Sequence, residues 1–286
     1  PDDLPDATPV ELPGRGTTSM RLLTGPAGAP TVVLLHGWTA NSALNWYTSY
    51  TPLAEHFRVV ALDHRGHGRG IRAPEPFTLQ DCADDAAALI DLLALDPVIL
   101  VGYSMGGPIA QLLCRRHPHL VDGLVLCATA SSFIGNSPSE RAMQGVVTGL
   151  TFAARRAPES FNKRIADRVV VSRYDDSALG LWAREEARLN DPRSIVEAGQ
   201  ALSQFSSAEW IGRLELPTSV VITERDHVVA VERQEALAAA IPGAVAFRVD
   251  GDHDVVATEP DRFVPSFVDA CLDVARRIDG QADEVT

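Results

Sequence analysis

Five residues, Gly102-Tyr103-Ser104-Met105-Gly106, carry the clearest chemical signal in this chain. They follow an apolar run, Val98–Val101, and open a helical run from Gly107 to Arg116. A serine on a sharp strand-to-helix turn needs a strained backbone, and small residues two before and two after it keep strand and helix from colliding. Gly102 and Gly106 meet that need, Gly107 extends it, and Pro108 fits a first helical turn, where its missing N–H costs nothing. A serine hydroxyl is a weak nucleophile until a base takes its proton. Of the 8 histidines, His253 in Gly251-Asp252-His253-Asp254 lies just past the last predicted strand, on the carboxyl edge of the sheet that also carries Ser104. Such a base needs an acid to fix its tautomer and stabilise its imidazolium. Thr223-Glu224-Arg225-Asp226-His227 follows another strand on that edge, and Asp226 is better placed than Glu224, which sits closer to the strand end. The segment after Cys127, Ala128-Thr129-Ala130-Ser131-Ser132, offers no acid. Ser104, His253 and Asp226 are therefore the expected nucleophile, base and orienting acid, a set suited to attack on a carbonyl.

These positions share an edge only if the strands run mainly parallel. Strand candidates are residues 31–36, 58–63, 98–102, 121–127, 219–223 and 244–249, several of them apolar without alternation, as strands covered on both faces should be. Between them, Thr78 with Asp81 starts a helical pattern reaching Leu95, a second helix runs from Val231 to Ile241, and a long one from Thr258 to Arg277. Strand-then-helix alternation implies an α/β architecture, a mainly parallel, doubly wound sheet. Residues 130–210 break the rhythm: helical patterns dominate, with Arg168–Ser172 the one strand candidate, and the stretch reads as a helical cap inserted into a core of residues 15–129 and 211–278. The acidic, Pro-rich residues 1–14 and the tail 279–286 read as disordered.

Ser104, Asp226 and His253 in that chain order, with His36-Gly37-Trp38 after an early strand, resemble the Ser-nucleophile branch of the α/β-hydrolase superfamily, over about residues 17–278. The resemblance implies an oxyanion hole made by the backbone N–H groups of Trp38 and Met105, the residues after His-Gly and after the nucleophile. It implies a hydrolase for an ester-type bond of a small molecule, working through an acyl-enzyme and without a cofactor. Thioester, lactone and C–C bond hydrolysis and cofactor-free perhydrolysis use the same residues, and a small-molecule receptor on this fold is the more distant alternative. Asp63-His64-Arg65-Gly66-His67-Gly68 is similar to the family's D-x-R-G-x-G turn, with Arg65 suited to pinning loops by ion pairing. Three positions depart from the pattern: Asp252 where a small residue usually precedes the histidine, Arg69 where the turn commonly has Ser, and Ala230 where Pro often follows the acid loop. Trp38, Trp46 and Tyr103 are expected to wall an apolar pocket beside His36 and Gly37.

Composition narrows the partners. The chain has 286 residues and a net charge of −13, which argues against nucleic acid or an anionic membrane, both of which select basic patches. No apolar run approaches the ~20 residues that span a bilayer. Cys82, Cys114, Cys127 and Cys271 make no metal-binding spacing and read as reduced thiols of a cytoplasmic protein. Lys163 is the only lysine, which disfavours lysine-based cofactor chemistry, and no metal is expected. Residues 1–14 and 279–286 hold seven acids and no base, so the net charge says little about the ligand.

Overall fold

Apolar strands without alternation must be buried on both faces, and the centre of the molecule is built that way. The computed structural model describes residues 1, 3–134, 145, 148–149 and 156–285. Eight strands form one sheet: β1 (Thr8–Leu12), β2 (Gly16–Leu23), β3 (Thr31–Leu35), β4 (Arg58–Leu62), β5 (Val98–Tyr103), β6 (Val121–Cys127), β7 (Thr218–Thr223) and β8 (Val245–Val249). Their order is β1-β2-β4-β3-β5-β6-β7-β8, with β1 and β2 antiparallel and every pair from β4 to β8 parallel. All residues of β5 and β7 are buried.

Two apolar layers cover the sheet. On one face, Leu89, Ile90, Ile109 and Leu113 of α3 (Leu79–Leu92) and α4 (Gly106–Arg116) pack on Val33, Leu100 and Leu124. On the other, the short helices α1 (Ser42–Trp46) and α2 (Tyr50–Ala54) join Phe263, Phe267 and Val274 of the last helix over Val32, Val101 and Val125. The Thr78 hydroxyl accepts from the Asp81 N–H and starts α3, as the sequence pattern predicts.

Between β6 and β7 the described chain is helical: α5 (Glu159–Arg173), α6 (Ala178–Arg188) and α7 (Pro192–Gln204). Arg168–Ser172, the strand candidate, lies inside α5; an apolar run of this length does not distinguish strand from helix by period alone. Residues 135–144, 146–147 and 150–155 of the expected cap lie outside the described residues. The roots of the insertion are closed by an antiparallel bridge between Ser132 and Ser206, and by the Ser207 N–H donating to Ser131 O. After β7 come α8 (Val231–Ala240), α9 (Val255–Thr258) and α10 (Pro260–Val285).

Both ends correct the expectation of disorder. Residues 8–12 pair with β2 through a turn in which Gly14 and Gly16 take φ of +72° and +122°, and Pro9 is tolerated because β1 is the sheet edge. The polar residues of β2 hid it from a hydrophobic reading; Thr18 and Arg21 are buried because Asp63 O and Ser42 Oγ accept from them. The helical backbone of α10 continues through residues 279–285, since extending a formed helix adds a hydrogen bond per residue without a new nucleation cost.

Arg65 pins the Asp63–Gly68 turn to α3. Its guanidinium donates twice to Asp85 at 2.8 Å, and both residues are buried. Breaking such a pair strands a buried carboxylate, so Arg65→Ala should cost about 3 kcal/mol, the low end for buried pairs because Arg15 also reaches Asp85. Urea denaturation checks this; a loss near zero would show that the pair holds nothing.

Candidate active site

Ser104 occupies the turn between β5 and α4 with φ of +51°, a left-handed value that costs a residue with a Cβ. Crowding explains the glycines around it. A Cβ on Gly102 would strike Gly106 O, one on Gly106 would strike Leu35 O, and one on Gly107 would strike the Thr129 side chain. The turn is tied down as well: the Ser104 N–H donates to Cys127 O at 2.9 Å, and the Thr129 hydroxyl donates to Ser104 O at 2.8 Å.

His253 and Asp226, from the loops after β8 and β7, meet Ser104 in one line. His253 Nε2 lies 2.9 Å from Ser104 Oγ, and His253 Nδ1 lies 2.8 Å from Asp226 Oδ2. An ionised carboxylate only accepts, so Nδ1 carries the proton and donates to Asp226, leaving Nε2 to accept from the Ser104 hydroxyl. Burial alone would raise the Asp226 carboxyl, but the His253 bond and the bonds from Val229 and Thr223 outweigh it and hold the group below the usual carboxylate range. Its donors number five: besides His253, Thr223 Oγ1 at 2.7 Å and Gln234 Nε2 at 3.1 Å reach Oδ2, and the Val228 and Val229 N–H groups reach Oδ1 at 2.8 and 2.7 Å.

Trp38 lies in the loop after β3, next to Gly37, and Met105 follows the serine at the cap of α4. Among the described residues, neither backbone N–H is taken up by a protein acceptor. Gly37, the residue before Trp38, is held by its N–H donating to Asn45 Oδ1 at 2.8 Å, and a Cβ on it would lie 3.3 Å from Ser104 Cβ. The Trp38 indole is 43% exposed, donates to Ile195 O of α7 at 2.8 Å and lies against Gly199 of the same helix.

The other pocket expectations need correction. Trp46 is 0% and Tyr103 3% exposed, so neither presents a wall to solvent. Trp46, from α1, stacks on Phe267 and meets Tyr103 edge-on within the apolar layer under α10. His36 is also buried; its Nδ1–H donates to Gly37 O and its Nε2 accepts from the His64 N–H, so it braces the loop from inside. Burial lowers His36 to about 4 and the neighbouring His67 to about 3, keeping both imidazoles neutral. Among the described residues, no cluster of three or more His, Cys, Asp or Glu is arranged to hold a metal ion.

Gln234, Thr223, Thr129 and Asn45 were missed as supports of the site. Gln234 stands among Glu232, Arg233 and Glu235, and Thr223 ends an apolar strand; in either setting a polar side chain reads as surface until its partner is known. Asn45 directly precedes Trp46, and its amide was the available signal.

Against known proteins, the family described as alpha/beta hydrolase fold matches residues 30–260. The chain is 27% identical over 226 residues to the pimeloyl-[acyl-carrier protein] methyl ester esterase of Chromobacterium violaceum, covering 76% of this chain and 84% of that protein. A hydrolase from Pseudomonas aeruginosa PA01 superimposes with a TM-score of 0.77 at 22% identity, covering 93% of this chain and 98% of that one. The enol-lactonase from Burkholderia xenovorans LB400 gives 0.75 at 22% identity, covering 93% and 100%.

The lowered Asp226 carboxyl has a stability consequence. Relative to the ordinary value of 3.8, a depressed folded value contributes stability that is full above that pH and is lost as pH falls through the folded value. Urea denaturation of the wild type and Asp226→Asn from neutral to about pH 3 should show a gap that is widest at neutral pH and narrows in acid. A gap independent of pH would contradict the assignment.

Proposed function

The chain belongs to the alpha/beta hydrolase fold family, and on that premise we propose that it hydrolyses an ester-type bond of a small molecule with Ser104 as nucleophile. The observation that carries this reading is the unbroken line from Ser104 Oγ through the His253 ring to Asp226, with spacings of 2.9 and 2.8 Å. Ser104 Oγ attacks the carbonyl carbon while His253 Nε2 takes its proton. The carbonyl oxygen becomes an oxyanion, which the Trp38 and Met105 N–H groups receive; one such donor is worth ~10²–10³ in rate. Asp226 stabilises the imidazolium and holds its ring.

Collapse of the tetrahedral intermediate breaks the bond to the leaving alcohol, which departs with the proton from His253 Nε2 and leaves an acyl group on Ser104. Water then attacks that carbonyl, gives its proton to His253, and the acid leaves as Ser104 recovers its own. Chain groups carry every proton, so no cofactor is required. The helices at 159–204 act as a cap over the reacting edge, which the packing of Trp38 on α7 supports. The relative named as a methyl ester esterase supports ester chemistry. Among the described residues no helix is long and apolar enough to cross a membrane, and the four buried free cysteines fit a reducing, cytoplasmic compartment.

Ser104→Ala tests the reading: turnover of p-nitrophenyl acetate should fall by up to ~10⁶-fold, and a fluorophosphonate probe should label the wild type at Ser104 and leave the variant unlabelled. Full turnover in the variant, or labelling at another residue, would overturn it.

A further inference from the structure

Two residues outside the Ser104–His253–Asp226 line grip the main chain of His253. The Tyr103 hydroxyl donates to His253 O at 2.7 Å, and the His253 N–H donates to Asp252 Oδ1 at 2.6 Å. The same Asp252 oxygen accepts the His227 N–H at 3.1 Å. We infer that Tyr103 and Asp252 form a clamp that sets the position of His253 relative to both of its partners, which makes them positioning residues for the reaction. This rests on the proposed roles of Ser104, His253 and Asp226.

Where the two grips lead gives the clamp its meaning. Tyr103 directly precedes Ser104, so its bond ties the base to the turn that carries the nucleophile. His227 directly follows Asp226, so the Asp252 bond ties the base to the loop that carries the acid. The ring must keep contacts of 2.9 and 2.8 Å on opposite edges while a proton crosses it, and a loop free to drift would lose one as it kept the other. Tyr103 is suited to the task because its ring is fixed: Trp46 meets it at 5.9 Å, Phe263 at 5.7 Å and the His253 ring at 5.9 Å. Other links between the two loops, among them Glu224 N–H to Val249 O, Arg225 N–H to Gly251 O and the Arg225 guanidinium to Asp250, stop short of His253. Asp252 is also one of the three positions at which the chain departs from the family pattern.

Kinetics on p-nitrophenyl acetate with Tyr103→Phe, Asp252→Ala and Asp252→Asn test the clamp, with thermal melts to establish folding. Tyr103→Phe removes one hydroxyl and leaves the packing; Asp252→Asn removes the charge and keeps the accepting oxygen. Tyr103→Phe and Asp252→Ala should each lower kcat roughly tenfold with KM within about twofold, and slow fluorophosphonate inactivation in parallel. Asp252→Asn should recover most of the Asp252→Ala loss. Wild-type kcat in folded Tyr103→Phe and Asp252→Ala would overturn the clamp. So would an Asp252→Asn loss equal to that of Asp252→Ala, which would trace the effect to charge. Ser104→Ala run alongside separates the two failures: turnover there refutes the reaction, whereas an inactive Ser104→Ala with intact clamp variants refutes only the clamp.

Discussion

The left-handed backbone at Ser104 is the constraint on which the rest of the site depends. A residue with a Cβ held at φ of +51° costs on the order of 1–3 kcal/mol and persists only where the surroundings over-determine it. They do so here. Cys127 O takes the Ser104 N–H, the Thr129 hydroxyl and the Gly107 N–H both donate to Ser104 O, and the glycines let α4 start against β3 with no room for a side chain. The hydroxyl emerges at the carboxyl edge of a central strand. The loops after β3, β7 and β8 open on the same edge, because parallel strands end together, and this puts Gly37 beside Ser104 and brings His253 and Asp226 into line with it.

Buried charge forms the second layer of this design. Asp226 stays ionised because five donors replace the water it lost, which lets it act as a fixed acceptor for His253. The buried His36 and His67 show the opposite solution. Burial outweighs their hydrogen bonds and lowers them to about 4 and 3, so they serve the fold as neutral rings. Environment thus separates histidines that the sequence presents alike: the base lies beside a carboxylate and the braces lie among one another.

The helical insertion is joined to the core at the residues beside the site. Glu186 of α6 accepts from Asn41 and from both terminal nitrogens of Arg69, and burial would raise it were those donors absent. Asn190 reaches the Gly68 N–H and Thr39 O, and the Trp38 indole meets α7. Arg69, a departure from the usual turn residue, is therefore half of a latch between insertion and turn. The Trp38 side chain abuts the insertion, which ties the loop after β3 to the placement of those helices.

The parallel core, the elbow and the three residues now within hydrogen-bond distance were legible in the chain. Each leaves a local mark: apolar runs covered on both faces, glycines spaced around a serine, polar residues just past strand ends. The hairpin of β1 and β2 was not, because the polar residues of β2 become strand only once Asp63 and Ser42 take their hydrogens. Trp46 and Tyr103 were read as pocket wall, and Asp252 as a departure from pattern, because the face a ring turns to and the N–H a carboxylate meets depend on distant segments. The sequence by itself determined which groups stand at the sheet edge, since that follows from strand periodicity and turn chemistry within a few residues. Only the tertiary structure decided which of them face the serine, which are buried beneath it and which hold the histidine, since those outcomes rest on contacts such as Tyr103 with His253, 150 residues apart.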